Sequence, residues 1–280
     1  MENKEKALTV GVFPTCVSTV ACPALVRSTL SLLSAAGLEA DSVALYSCCG
    51  QPAYSAGRVR EARRVAKGAL AALWAWSGPI VTPSGSCAAM IRKVWPKLFR
   101  KEPYKQRAIA VAGRVFELTE FLEPLKIPFL KVAPTPMTVT YHDSCHGLRE
   151  LGLGRQARAL LSRAGYQVVE CDSKEMCCGF GGVFSQMLPE VAIRIGLDKA
   201  ESLMRAAPLA SGGDAPCLLH LSASLRSFSG SESETARDER QALDITSLRT
   251  QGSEMSFRHI AELLAERLDV DSVPAVRQVK

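Results

Sequence analysis

Cys48-Cys49-Gly50-Gln51-Pro52 and, 129 residues further on, Cys177-Cys178-Gly179-Phe180-Gly181 decide how this chain is read. The same offset of 129 carries Cys16 onto Cys145, and an offset of 130 carries Cys87 onto Cys217 and Met90 onto His220. One half therefore reads Cys16-x31-Cys48-Cys49-x37-Cys87, and the other Cys145-x31-Cys177-Cys178-x38-Cys217. Four cysteines recurring in register over such distances mark an internal duplication.

The segments between the cysteines follow the same order twice. Leu8 to Phe13 reads as a buried strand, and a helical pattern from about Pro23 to Ala36 stops at Gly37. A strand is expected near Val43 to Tyr46, delivering Cys48 and Cys49. A helix from about Arg58 to Trp76 then ends at Gly78-Pro79, and strand Ile80 to Thr82 leads to Cys87 at the start of another helix. In the second half the corresponding elements are strand Met137 to Tyr141, helix Arg155 to Ala164 and strand Gln167 to Glu170. Such alternation predicts α/β architecture: two pseudo-symmetric parallel α/β repeats with the cysteine loops at the C-terminal ends of strands. That edge is where open α/β sheets build their sites.

Leu118-Thr119-Glu120-Phe121-Leu122 resembles Ile260-Ala261-Glu262-Leu263-Leu264 at an offset of 142, so about twelve extra residues lie between Cys217 and Ile260. The Ser-, Glu- and Arg-rich stretch 224–256 is the expected site of a flexible surface insertion. The expected repeats are 1–130 and 131–280, joined through the Pro-containing stretch from Pro124 to Pro136.

Composition is that of an ordinary globular chain, 47% hydrophobic and 22% charged. A net charge of +6 over 280 residues is too mild to point to nucleic acid. No apolar run is long enough for a membrane helix, and the charged start Met1 to Lys6 is not a secretory signal, so a reducing, cytoplasmic setting is expected. There, ten cysteines are kept for metals or catalysis rather than disulfides. Adjacent cysteines also make poor disulfide partners, because disulfide geometry is narrow.

Soft thiolates select zinc, copper(I) or iron–sulfur clusters. Structural zinc sites favour paired C-x2-C knuckles, and this sequence has none. Two neighbouring thiolates can reach different irons of one cluster, and Gly50, Gly179, Gly181 and Gly182 allow backbone N–H groups near its sulfides. The eight duplicated cysteines, Cys16, Cys48, Cys49, Cys87, Cys145, Cys177, Cys178 and Cys217, are thus the candidate ligands of one iron–sulfur cluster per repeat. Cys22 and Cys171 have no counterpart and read as buried small hydrophobes. His142 and His146 flank Cys145 and are expected to brace the loop or hydrogen-bond near the cluster; Asp143 and Arg149 read as loop-bracing residues. Arg60, Arg63, Arg64 and Lys67 form a helical stripe opposite Val59, Ala62, Ala66, Ala69 and Leu70, the pattern of a solvated face. No dinucleotide fingerprint or Walker lysine is present, since the sixth position of the Gly179 pattern is Phe184.

The strings Cys48-Cys49-Gly50-Gln51-Pro52-Ala53-Tyr54, Pro83-Ser84-Gly85-Ser86-Cys87-Ala88-Ala89-Met90, His142-Asp143-Ser144-Cys145-His146-Gly147-Leu148-Arg149 and Cys177-Cys178-Gly179-Phe180-Gly181-Gly182 resemble known ones. They are similar to the CCG cysteine-rich domain found in heterodisulfide reductase, in the iron–sulfur subunit of glycolate oxidase and in anaerobic glycerol-3-phosphate dehydrogenase. The finer resemblance is to the lactate utilisation protein A family. It implies an electron-transfer subunit of a three-protein cytoplasmic complex that oxidises L-lactate to pyruvate, with a ferredoxin-type iron–sulfur subunit and a third subunit as partners. It also implies clusters of the 4Fe-4S type. In the heterodisulfide reductase branch each motif ends in C-x2-C, giving five cysteines for a non-cubane cluster. Met90 and His220 hold the fifth positions here, leaving four thiolates per half, with His220 a candidate nitrogen ligand of the metal and Met90 expected to pack. The ferredoxin run C-x2-C-x2-C-x3-C-P is absent, which assigns relay clusters to a partner. Two other functions fit the cysteines: a thiol–disulfide reductase like heterodisulfide reductase, and a zinc-binding scaffold.

Overall fold

A computed structural model describes residues 9–43, 48–101, 103–130, 137–228 and 255–269. Two four-stranded, wholly parallel sheets carry the fold. The first holds β1 (Val10–Val12), β2 (Ala40–Ser42), β3 (Ile80–Thr82) and β4 (Val115–Glu117) in the order β2-β1-β3-β4. The second holds β5 (Thr138–His142), β6 (Gln167–Val168), β7 (Leu209–Gly212) and β8 (Ser256–His259) in the order β6-β5-β7-β8.

Across β1, β3 and β4 and across β5, β7 and β8 the registers coincide residue for residue. Gly11 faces Ile80 across β1 and β3, as Thr140 faces Ala210 across β5 and β7. Val115 beside Ile80 matches Phe257 beside Ala210. Strand order reverses between β1 and β3, and again between β5 and β7, so each repeat has a crevice at the C-terminal ends of its central strands. The duplication seen in the cysteine spacing is therefore a duplication of fold.

Side-chain alternation along the strands sorts the core into layers. Val10, Val12 and Val81 face a core shared with Val139, Tyr141 and Leu209 of the other repeat. The helix Ala24–Ala35 packs there on Ile260–Ala265, and Leu118–Leu122 packs on Gln156–Arg163, each crossing from one repeat to the other. Phe13, Ile80 and Val115 face the opposite way, into an outer core with Ala62, Ala66 and Leu73 of the helix Val59–Ala75. Ala210, Leu218 and Phe257 do the same in the second repeat, against Ala200 and Leu203 of the helix Pro189–Ala206.

Three local expectations shift. A second strand, Ala40–Ser42, lies ahead of the run expected from Val43. As an edge strand it pairs with β1 on one side only and needs no apolar sequence, and residues 44–47 of the expected run lie outside the described residues. Val59 opens the long helix on its exposed side instead of the apolar face. The stretch read as an insertion is ordered at both ends: the helix Ala215–Phe228 runs through Ser224, which is buried against Gly196, and β8 starts at Ser256. Residues 229–254 lie outside the described residues.

The segments at offset 142 prove to be equivalent helix starts. Each follows an edge strand, and each carries a capping box, Glu117 with Glu120 and His259 with Glu262. Burial pushes the Glu117 carboxyl from its ordinary 4.5 up to about 7, against the pull of hydrogen bonds from Thr119. Unfolded, this carboxyl ionises near 4.5; folded, it keeps its proton to about 7. Between those values the folded chain holds more protons, so stability is highest below the lower value and falls as pH rises through the window. The loss is about 3 kcal/mol. Glu117→Gln keeps an acceptor oxygen but cannot ionise, and we expect urea midpoints measured across that window to lose most of this slope. An unchanged slope in the variant would assign it to other groups.

Candidate metal centre

Each cysteine of the motif follows a strand. In the first repeat Cys16 begins the helix Cys16–Val20 after β1, where Thr15 caps the Ser18 N–H at 3.0 Å. Cys48 and Cys49 follow β2, and Cys87 lies in the helix Gly85–Ala89 after β3, its N–H bonded to the Ser84 hydroxyl at 3.2 Å. The sulfurs meet in pairs: Cys16 to Cys48 at 3.7 Å and Cys49 to Cys87 at 3.4 Å. No disulfide joins any of the ten cysteines.

Hydrogen bonds from Cys16 and Cys49, with the N–H of Gly50 at 3.4 Å, hold the Cys48 thiol down to about 3. Its donors are pushed up in turn. Gly50 can supply that N–H because it sits at φ 89°, where a Cβ would come within 2.7 Å of the Ala62 carbonyl oxygen. Trp95 braces the pair from behind, its indole N–H donating to the Cys49 carbonyl at 2.9 Å.

The second repeat reproduces this arrangement. Cys145 donates to Cys177, which also takes hydrogen bonds from Cys178 and from Gly179 at 3.4 Å, and is held at about 2. Cys178 bonds to Cys217. Gly179 sits at φ 87°, where a Cβ would approach the Ala192 carbonyl oxygen to 2.6 Å. The eight predicted cysteines thus gather into two sets of four, one per repeat.

The repeats touch at equivalent cap positions. Ser84 and Asp214, 130 residues apart, precede corresponding helices, and the Ser84 hydroxyl donates to Asp214 Oδ1 at 2.6 Å. Ser86 adds its hydroxyl at 2.9 Å and its N–H, to Oδ2, at 2.9 Å. A cavity of about 240 Å³ lies beside the first set, lined by Cys16, Cys48, Cys49 and Cys87 and closed by Phe180, Val183 and Gln186 of the second repeat.

The other sequence candidates fall into place around these sets. His146 bonds Glu150 at 2.6 Å and reaches Gln51 of the first repeat at 3.4 Å. Asp143 holds Arg158 through both oxygens, at 2.9 and 2.8 Å, and Arg149 donates to the Glu175 carbonyl at 3.1 Å on the loop before Cys177. Met90 is buried in the outer core. His220 turns Nε2 onto the Ala192 carbonyl at 3.1 Å and lies against the Phe180 ring. His142 lies among sulfurs instead: its donor atom and those of Cys178 and Cys217 are all within 4.8 Å of one another. Burial, aided by Lys199, lowers this ring to about 3, so it is neutral at pH 7. Cys22 is buried in the shared core, and Cys171 accepts from Lys199 Nζ at 3.3 Å.

The residues fit a metal–sulfur group: soft donors in two sets, sulfurs in mutual contact, and N–H groups aimed at them. A family model described as a cysteine-rich domain matches twice, over residues 10–92 and 139–222. Fold and site together define a tandem cysteine-rich-domain protein. Lactate utilization protein A of Oceanobacillus iheyensis is 37% identical over 224 residues, covering 78% of this chain and 89% of its own. The protein of that name from an Exiguobacterium species is 34% identical over 265 residues, covering 92% and 97%. That from Geobacillus thermodenitrificans is 34% identical over 219 residues, covering 76% and 89%. The chain belongs to the lactate utilization protein A family. Among the described residues no helix is long and apolar enough to cross a membrane.

Proposed function

We propose that this chain is the iron–sulfur electron-transfer subunit of a complex that oxidises L-lactate to pyruvate. The observation that carries the reading is the duplicated four-thiol set at the strand ends, in a chain whose relatives are named for lactate utilization. Cys16, Cys48, Cys49 and Cys87 would hold one cluster of the 4Fe-4S type, and Cys145, Cys177, Cys178 and Cys217 a second. Such a cluster supplies one-electron redox chemistry when bound. The chain's own part is to present thiolates, with Cys48 and Cys177 held ionised by their neighbours, and to keep the Gly50 and Gly179 N–H groups on sulfur. Repeat boundaries at 1–130 and 131–280 put one complete set in each unit.

Hydride removal from lactate needs an acceptor of electron pairs, and the sequence carries no nucleotide or flavin fingerprint. The reading therefore assigns that step to partners: a ferredoxin-type iron–sulfur subunit and a third subunit, assembled in the cytoplasm. The test is a reduction assay. In the assembled complex L-lactate should reduce this chain's clusters, while the chain alone, with an artificial acceptor, should give no turnover. Robust turnover by the pure chain would overturn the division of labour.

A further inference from the structure

We propose that His142 is a nitrogen ligand of the second-repeat site, which makes the two sites chemically unlike. The inference rests on the cluster reading above and deepens it. His142 ends β5 and faces Gly212 of β7. The matching strand registers put Phe13 at the same place in the first repeat, one residue after β1. Phe13 is fully buried in an apolar layer, as its chemistry requires. His142 is buried to 1% exposure in the equivalent place, and among the described residues neither ring nitrogen has a hydrogen-bond partner.

That is a costly arrangement without a ligand, because a buried polar atom left unpaired gives up its hydration and gains nothing in return. A phenylalanine serves at the same position in the other repeat, so packing alone does not call for an imidazole. Soft partners are at hand in the Cys178 and Cys217 sulfurs, within 4.8 Å. A neutral imidazole among thiolates is a mixed nitrogen–sulfur donor set that iron–sulfur sites accept. His220 is already engaged through Nε2 with the Ala192 carbonyl.

A second replacement on the same face agrees. Ala62 and Ala192 correspond on the two long helices, being the residues that crowd Gly50 and Gly179. By that correspondence Lys199 stands where the first repeat has the buried Ala69. Lys199 is fully buried, and its ammonium donates to the Ser173 carbonyl at 2.7 Å, the Lys174 carbonyl at 3.2 Å and Cys171 at 3.3 Å. The second site thus carries an imidazole and a nearby cation where the first carries a benzyl and a methyl group. The nearby positive charge favours the reduced cluster, and a neutral imidazole adds a donor without the negative charge that a thiolate would bring.

The experiment uses the full chain, produced with 15N-histidine and reconstituted anaerobically with ferrous iron and sulfide. Pulsed electron–nuclear double resonance on the reduced protein should show a strongly coupled histidine nitrogen on the higher-potential signal. His142→Phe, which copies the first repeat, should abolish that coupling and shift the midpoint of that signal alone, and His220→Asn should leave both in place. If His142→Phe fails to fold, His142→Cys supplies a thiolate and should likewise lose the nitrogen coupling and lower the midpoint. A chain holding iron and sulfide with only weak nitrogen coupling would overturn ligation by His142, as would a strong coupling that survives its replacement. A chain that takes up no iron and sulfide would overturn the cluster reading itself.

Discussion

Cys177→Ser should remove one of two iron–sulfur signals and its share of the iron, and leave the other signal intact. Cys177 is the thiol that Cys145, Cys178 and the Gly179 N–H all support as an anion, and a serine hydroxyl does not ionise in its place. The loss should be local because the sulfurs meet within their own repeat: Cys16 with Cys48 and Cys49 with Cys87, Cys145 with Cys177 and Cys178 with Cys217. Cys48→Ser should do the reverse. Electron paramagnetic resonance during a redox titration, with iron analysis on each variant, reads the outcome. One signal abolished by either change would mean a single shared site.

Trp95→Ala should cost about 3–5 kcal/mol of stability, the range for emptying a buried aromatic position. Trp95 is fully buried, meets Phe99 edge-on with ring centroids 5.9 Å apart, and ties its N–H to the Cys49 carbonyl. Its removal opens the outer core directly behind the first vicinal pair, so cluster uptake by the first repeat should fall further than uptake by the second. Trp95→Phe refills most of the space but leaves the Cys49 carbonyl without the indole donor, at roughly 1–3 kcal/mol. Denaturant melts of the reduced apoprotein under anaerobic conditions measure both. Equal, small losses would show that the indole N–H bond and the ring packing matter little here.

Much of this architecture is written in the spacing of the cysteines. Matching offsets for Cys16, Cys48, Cys49 and Cys87 required matching strand–helix frames to hold them, and the parallel sheets follow from strand–helix alternation. β4 and β8 escape such reading because each is short and runs directly into a helix, so hydrophobic periodicity has no room to declare itself. β2 escapes because an edge strand of Ala-Asp-Ser depends on its neighbour's backbone rather than on its own apolar residues.

His142 was legible only in comparison. Three residues before Cys145, it reads as part of a loop; set beside Phe13 under the same offset, it stands out as a polar residue on an apolar face. Lys199 gives the same signal against Ala69. The Ser84–Asp214 contact could not be read at all, since an offset says that two residues are equivalent and not that they touch.

Iron, acid-labile sulfide and zinc, measured per chain on protein purified without oxygen, test the central claim most directly. One cluster in each repeat predicts iron and sulfide in equal amounts, enough for two clusters, with zinc at trace level. Zinc bound in stoichiometric amount without sulfide, or iron and sulfide for a single cluster, would contradict it.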